Sequence, residues 1–174
     1  GGGLLLDGSS PVVSGASISG NTAGMGGGLF LNGSSPAISD TLIEGNVALD
    51  AGAGIYMVDS SPSLTSCLFE GNEASGDGGG AYALASTPLF YDCDLDGNES
   101  GCGGGGAFMD EAEAVFLDTR LTFNGALHGG GVFVTESTLA LDRCTIGDNE
   151  AAYEGGGMYL EGSAPVMSNV TLSG

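Results

Sequence analysis

Apolar and polar positions along this chain alternate in short runs that return every 25 or 26 residues. Each period holds three brief apolar stretches. The first is Leu4-Leu5-Leu6, repeated as Leu29-Phe30-Leu31, Ile55-Tyr56-Met57, Ala81-Tyr82-Ala83, Ala107-Phe108-Met109, Val132-Phe133-Val134 and Met158-Tyr159-Leu160. The second opens at a proline in most periods, as in Pro11-Val12-Val13-Ser14 and Pro36-Ala37-Ile38-Ser39. The third runs towards an asparagine, as in Thr41-Leu42-Ile43 and Cys67-Leu68-Phe69. Stretches this short, interrupted by Gly, Pro and Asn, exclude helices and read as strands.

The residues between the stretches repeat as faithfully. A Gly-Gly-Gly triplet, once Gly-Ala-Gly, opens at Gly1, Gly26, Gly52, Gly78, Gly104, Gly129 and Gly155. Asparagine returns at Asn21, Asn46, Asn72, Asn98, Asn124 and Asn149. A fixed period in this range marks a solenoid. Three strands per turn, each stacked on its counterpart one repeat later, give an all-β parallel β-helix of about seven turns. Its length is then about 30–35 Å, at one strand spacing per turn.

Alternation sorts the columns into inward and outward. Ile18, Ile43, Phe69, Leu95, Leu121, Ile146 and Leu172 form one inward column. Val13, Ile38, Leu64, Phe90, Phe116, Leu141 and Met167 form another. The asparagines stack at one corner and pass amide hydrogen bonds from tier to tier. Glycines beside them, such as Gly20 and Gly45, allow the corner a positive φ. The fifth turn departs from this pattern with Phe123-Asn124-Gly125, and the sixth has Asp148 before Asn149.

Gly-Gly-Gly-apolar followed by Phe/Ile-x-x-Asn, matched literally by Phe69-Glu70-Gly71-Asn72, resembles the repeats of right-handed parallel β-helix proteins. These include the polymorphic outer-membrane protein type and the pectate-lyase-like superfamily. The resemblance covers the whole chain and implies a right-handed solenoid. It fixes no function, because such folds serve as adhesins, surface scaffolds and polysaccharide lyases alike.

Charge narrows the partners. There are 22 Asp and Glu against two arginines, a net charge of −20. Such a surface repels phosphate, so nucleic acid is excluded as a partner. Cations such as calcium suit it. No apolar run is long enough to span a membrane as a helix. Cys67, Cys93 and Cys144 share one column, and Cys102 lies in a corner. Stacked neighbours would sit about 4.8 Å apart with parallel Cβ directions, a poor disulfide geometry. Buried thiols are the expectation.

Three sets of residues carry candidate chemistry. Phe30, Tyr56, Tyr82, Phe108, Phe133 and Tyr159 lie between inward aliphatics, so alternation turns the rings outward. They are available to stack on glycan rings or to meet a partner, or they simply cover the sheet. If the alternation is inverted, they are core. Glu44, Glu70 and Asp96 stack in one outward column. Asp92-Cys93-Asp94-Leu95-Asp96-Gly97 spells D-x-D-x-D-G, which makes Glu70, Asp92, Asp94 and Asp96 candidate calcium ligands. The position that would hold the closing Glu of such a loop is Gly103, and a solvated acidic face explains the same residues. For catalysis, carboxylates one tier apart approximate a retaining glycosidase pair, as any acidic ladder does. Arg120 pairs cheaply with Asp94 one tier below, and His128, the only histidine, occupies a variable corner. No Ser/His/Asp or Cys/His set is credible.

The expected domain is a single β-helix segment over 1–174, a portion of a longer solenoid or a unit that stacks end to end. An almost uncharged outward stripe (Val12, Ala37, Ser63, Leu89, Val115, Ala140, Val166) adds a possible side-by-side contact. The expected role is a non-enzymatic extracellular or cell-surface module, structural or adhesive. Its partners are other copies of itself or matrix glycans. The alternative is a β-helix that binds or cleaves carbohydrate.

Overall fold

The computed structural model describes residues 1–174. The chain coils through four parallel sheets, one strand of each per turn. Sheet A runs from Leu4–Asp7 to Met158–Glu161 in seven strands. Sheet B runs from Val12–Ser14 to Val166–Ser168, and sheet C from Ser17–Ser19 to Thr171–Ser173. Sheet D was not expected from the sequence. Its six strands begin with Thr22–Ala23 and end with Glu150–Glu154. They are only two residues long in the first four turns, too short for alternation to reveal.

Every tier pairs with the next in register, as in Leu29, Phe30 and Leu31 with Ile55, Tyr56 and Met57. One slip occurs, in sheet D between Ala126 and His128. Of 120 backbone hydrogen bonds, 68 lie outside the strand ladders, so the corners too are joined tier to tier. The prolines stand just before sheet B rather than in it, and their carbonyls accept from the tier above, as Pro11 does from Ala37.

The expected inward columns line the interior. Ile43, Phe69, Leu95, Leu121 and Ile146 are fully buried, as are Leu64, Phe90 and Phe116. They belong to one continuous core of 27 buried residues. At the outer tiers the same columns open to solvent, at Leu172 and Met167.

Three corners are lined by polar ladders. Between sheets C and D, Asn72 accepts from the backbone N–H and side-chain amide of Asn46. It donates in turn to Asn98 and to the Ile43 carbonyl. The same bonds recur from Asn21 to Asn149. Between sheets A and B, serine hydroxyls donate two residues back and accept from the tier below, as Ser60 does with Val58 and Ser34. Between sheets B and C, Thr41, Cys67, Cys93, Thr119 and Cys144 each donate to the carbonyl two residues back. The four cysteines are free, three of them buried.

The glycine triplets form the fourth corner, between sheets D and A. The first glycine takes a left-handed φ, 65° at Gly52. From the first tier to the sixth, the third glycine leaves no room for a side chain: a Cβ on Gly28 would lie 2.6 Å from the Gly54 carbonyl oxygen.

Candidate functional site

The aromatic row does face outward from sheet A, between buried neighbours such as Ile55 and Met57. Its rings are stacked along the solenoid axis. Centroids lie 5.2 Å apart for Phe30–Tyr56, 5.0 Å for Tyr56–Tyr82 and 5.2 Å for Tyr82–Phe108, with planes within 13° of parallel. Phe108–Phe133 and Phe133–Tyr159 follow at 4.7 Å. In the interior of the row, each ring's faces are therefore taken by its neighbours. What remains for a partner is a line of ring edges and tyrosine hydroxyls. Alternation gives the side of the sheet but not the ring's rotation, so this was not readable from sequence.

The row is also partly covered by the corner beside it, and Phe108 is buried, with only 8% of its surface exposed, so it is closed to a partner. A Cβ on Gly103 would lie 2.9 Å from ring atoms of both Phe108 and Phe133. Burial pushes the Tyr56 and Tyr82 hydroxyls above the ordinary phenol range, helped by Asp110. Asp110 accepts from the Tyr82 hydroxyl at 3.4 Å. Across the corner, burial raises Asp77 despite the N–H of Gly103 that donates to it at 2.8 Å.

The proposed calcium ligands are only partly brought together. Glu70, Asp94 and Asp96 share a shallow cleft on sheet C with Leu68, Arg120, Thr122 and Phe123. Asp92 does not line it. It turns the corner before sheet C at φ 53° and accepts from Ser66 at 3.0 Å. Within the cleft, Asp94 lies 3.7 Å from Arg120, and Asp96 accepts from the Thr122 hydroxyl at 2.6 Å. Asp94 and Asp96 sit on a straight strand, not on a chelating loop. No three acidic, His or Cys side chains converge in a metal-binding arrangement.

The other basic groups have acidic partners. Arg143 forms a fork with Asp118, at 2.7 and 2.8 Å, and reaches Asp142 as well. Its guanidinium holds the Asp118 carboxyl below the usual carboxylate range. His128 stacks on Tyr153 at 5.3 Å and stands 3.5 Å from a carboxylate oxygen of Glu154. Sequence reasoning placed His128 at a corner but not in this aromatic contact, which arises where the sheet D strands lengthen. Asn98-Glu99-Ser100 spells a glycosylation sequon, but Asn98 is fully buried in the ladder.

A family described as a right handed beta helix region matches residues 2–174. The chain belongs to that family. The coil of this β-helix is accordingly right-handed, as parallel crossovers almost always are. Comparison with curated proteins finds no match. Membership in the right-handed β-helix family accounts for the tiers, the columns and the corner ladders, and leaves the chemistry of the outer faces to be read from this chain. No helix is long and apolar enough to cross a membrane.

Proposed function

We propose that this β-helix is a non-enzymatic structural and adhesive module of an extracellular or cell-surface solenoid. The observation that carries the reading is the unbroken register of sheets A, B and C through all seven tiers, with corner ladders that spend their polar groups on joining one tier to the next. That construction makes a stiff rod whose outer faces are repeated columns. Stacked repeats of this kind present extended surfaces for contact with partners. Sheet B offers a lateral contact through its uncharged stripe, in which Val12 and Val166 are among the most exposed apolar residues. A tier left free at either end would offer a neighbouring copy the same strand pairing that joins tiers internally, which is the route to a filament.

The alternative is carbohydrate contact or cleavage, for which the sheet C cleft with Glu70, Asp94, Asp96 and Arg120 is the best-furnished place. One experiment separates the two. Beads coated with the purified chain are tested for adhesion to matrix-coated and cell-coated surfaces. The soluble chain is incubated in parallel with neutral and acidic polysaccharides. Adhesion without release of new sugar ends is the expected result. Beads that behave as uncoated ones, or polysaccharide that is cut, would overturn the proposal.

A further inference from the structure

The solenoid repeats itself so closely that its departures act as markers, and three of them meet at one place. Phe123 occupies the left-handed corner, at φ 56°, that Gly20, Gly45, Gly71 and Gly97 hold in the four preceding tiers. A residue with a Cβ is strained there, and 60% of Phe123 is exposed, so no core contact offsets the strain. Gly125 removes the outward side chain from a column that holds Thr22 and Val47 in its first two tiers and Glu73, Glu99 and Glu150 in the tiers around Gly125. Directly after it comes the one slip in register. Together these changes open a cleft of about 310 Å³ on sheet D. Gly125 and Ala126 floor it, Phe123 and Ala152 wall it, and Glu99, Asp148 and Glu150 are among the residues around it.

The chemistry of this cleft selects its occupant. A ring face free of other aromatics attracts a cation. An apolar stem covers the ring and the small residues beneath. Carboxylates around it accept the N–H groups of the charged head. Glu99 leans over Gly125, and its carboxyl is held above the ordinary range by burial and then by Glu150 and Glu73. An arriving cation relieves that repulsion. A second copy of the chain is a poor source, since Arg120 and Arg143 are its only arginines, it has no lysine, and both are paired with aspartates. We propose that the Phe123 cleft is a docking site for a lysine or arginine side chain on a basic segment of a partner protein.

The test is an NMR titration of the isotopically labelled chain with a short Arg/Lys–Gly peptide. Moderate salt, about 0.3 M, suppresses contacts driven by net charge alone. The comparison is Phe123→Gly, which restores the residue of the preceding tiers and so keeps the fold. The amides of Gly125 and Ala126 should shift first in the native chain. Affinity should fall roughly five-fold or more in Phe123→Gly, the scale of a lost cation–π contact. Equal affinity for both proteins, with shifts spread over the acidic faces, would overturn the proposal. So would a dimer that Phe123→Gly abolishes, or a neutral oligosaccharide that moves the same amides while the peptide does not.

Discussion

At the scale of single residues, the asparagine corner shows why one side chain is repeated so strictly. Asn72 is fully buried and uses its whole hydrogen-bonding capacity. Its oxygen accepts from the Asn46 backbone at 3.1 Å and from the Asn46 amide at 3.0 Å. Its nitrogen donates to Ile43 and Asn98, each at 2.9 Å. Aspartate would lose both donations and bury a charge, and alanine would strand partners in a dry corner. Asn72→Ala should therefore lower stability by about 3 kcal/mol or more, because each unpaired buried group costs about 1–3 kcal/mol. Asn21 sits at the end of the ladder, only half buried, and gives its amide to Asn46 alone. Asn21→Ala should cost under about 1 kcal/mol. Urea unfolding of the two variants checks this, and equal losses would show that the ladder is not what the tiers depend on. The repeated asparagine could be read from sequence because an amide can accept from one copy of itself and donate to the next while keeping a second N–H for a backbone carbonyl.

At the scale of elements, the sequence made visible whatever depends on alternation and hid whatever depends on two tiers at once. The inward columns and the outward aromatic row follow from a period of two within each strand. Sheet D does not, because Glu73–Ala74 and Glu99–Ser100 are strands only through their neighbours above and below. The Phe123 cleft was visible as a break in the repeat, but its rim draws Glu99 from one tier and Glu150 from another. The B–C corner is an intermediate case. Between its end tiers, which hold Ala16 and Val170, it mixes Thr and Cys, yet each of these five makes the same bond: Thr119 Oγ1 donates to Leu117 at 2.9 Å, and Cys93 Sγ to Tyr91 at 3.4 Å. The corner asks for a small side chain with one hydrogen to give. Cys93→Thr should then change stability by less than about 1 kcal/mol, whereas Cys93→Leu should cost about 1–3 kcal/mol by overpacking. Thiol reagents give a second check. Interaction with the stacked Cys67 thiol, then burial, pushes the Cys93 thiol up, and burial raises Cys144. Cys67 is drawn the other way by the neighbouring Cys93 thiol, but its side chain is shut off from reagent. Cys102 alone should label in the folded chain, and labelling of a second thiol without unfolding would contradict the packing of this corner.

At the scale of the whole molecule, a backbone that favours stacking is set against a surface that resists it. In-register pairing places Glu44, Glu70 and Asp96 in one column and Glu73 beside Glu99 in another, at a spacing of about 4.8 Å. With a net charge of −20, self-repulsion opposes the compact state. The raised carboxyls give this a direction in pH. Asp77 and Glu99 both lie above their ordinary values, burial being the first cause in each. Between the ordinary and the raised value the folded chain holds more protons than the unfolded one, so stability falls as pH rises through that window and grows on acidification. Asp118 acts in the opposite sense, because Arg143 lowers it; its contribution is present at neutral pH and is lost only below the ordinary carboxylate range. Acidification from pH 7 to about 5 should therefore raise the Tm by a few degrees, since it moves towards the first window and stops short of the second. Salt at about 0.5 M should also raise the Tm at pH 7, by screening the same columns. Its effect should be smaller at pH 5, where part of the charge is already gone. Scanning calorimetry at the two pH values, with and without salt, decides the matter. A Tm that falls between pH 7 and 5 would mean that the acidic columns are stabilised as carboxylates, by a bound cation or by pairing that outweighs their repulsion.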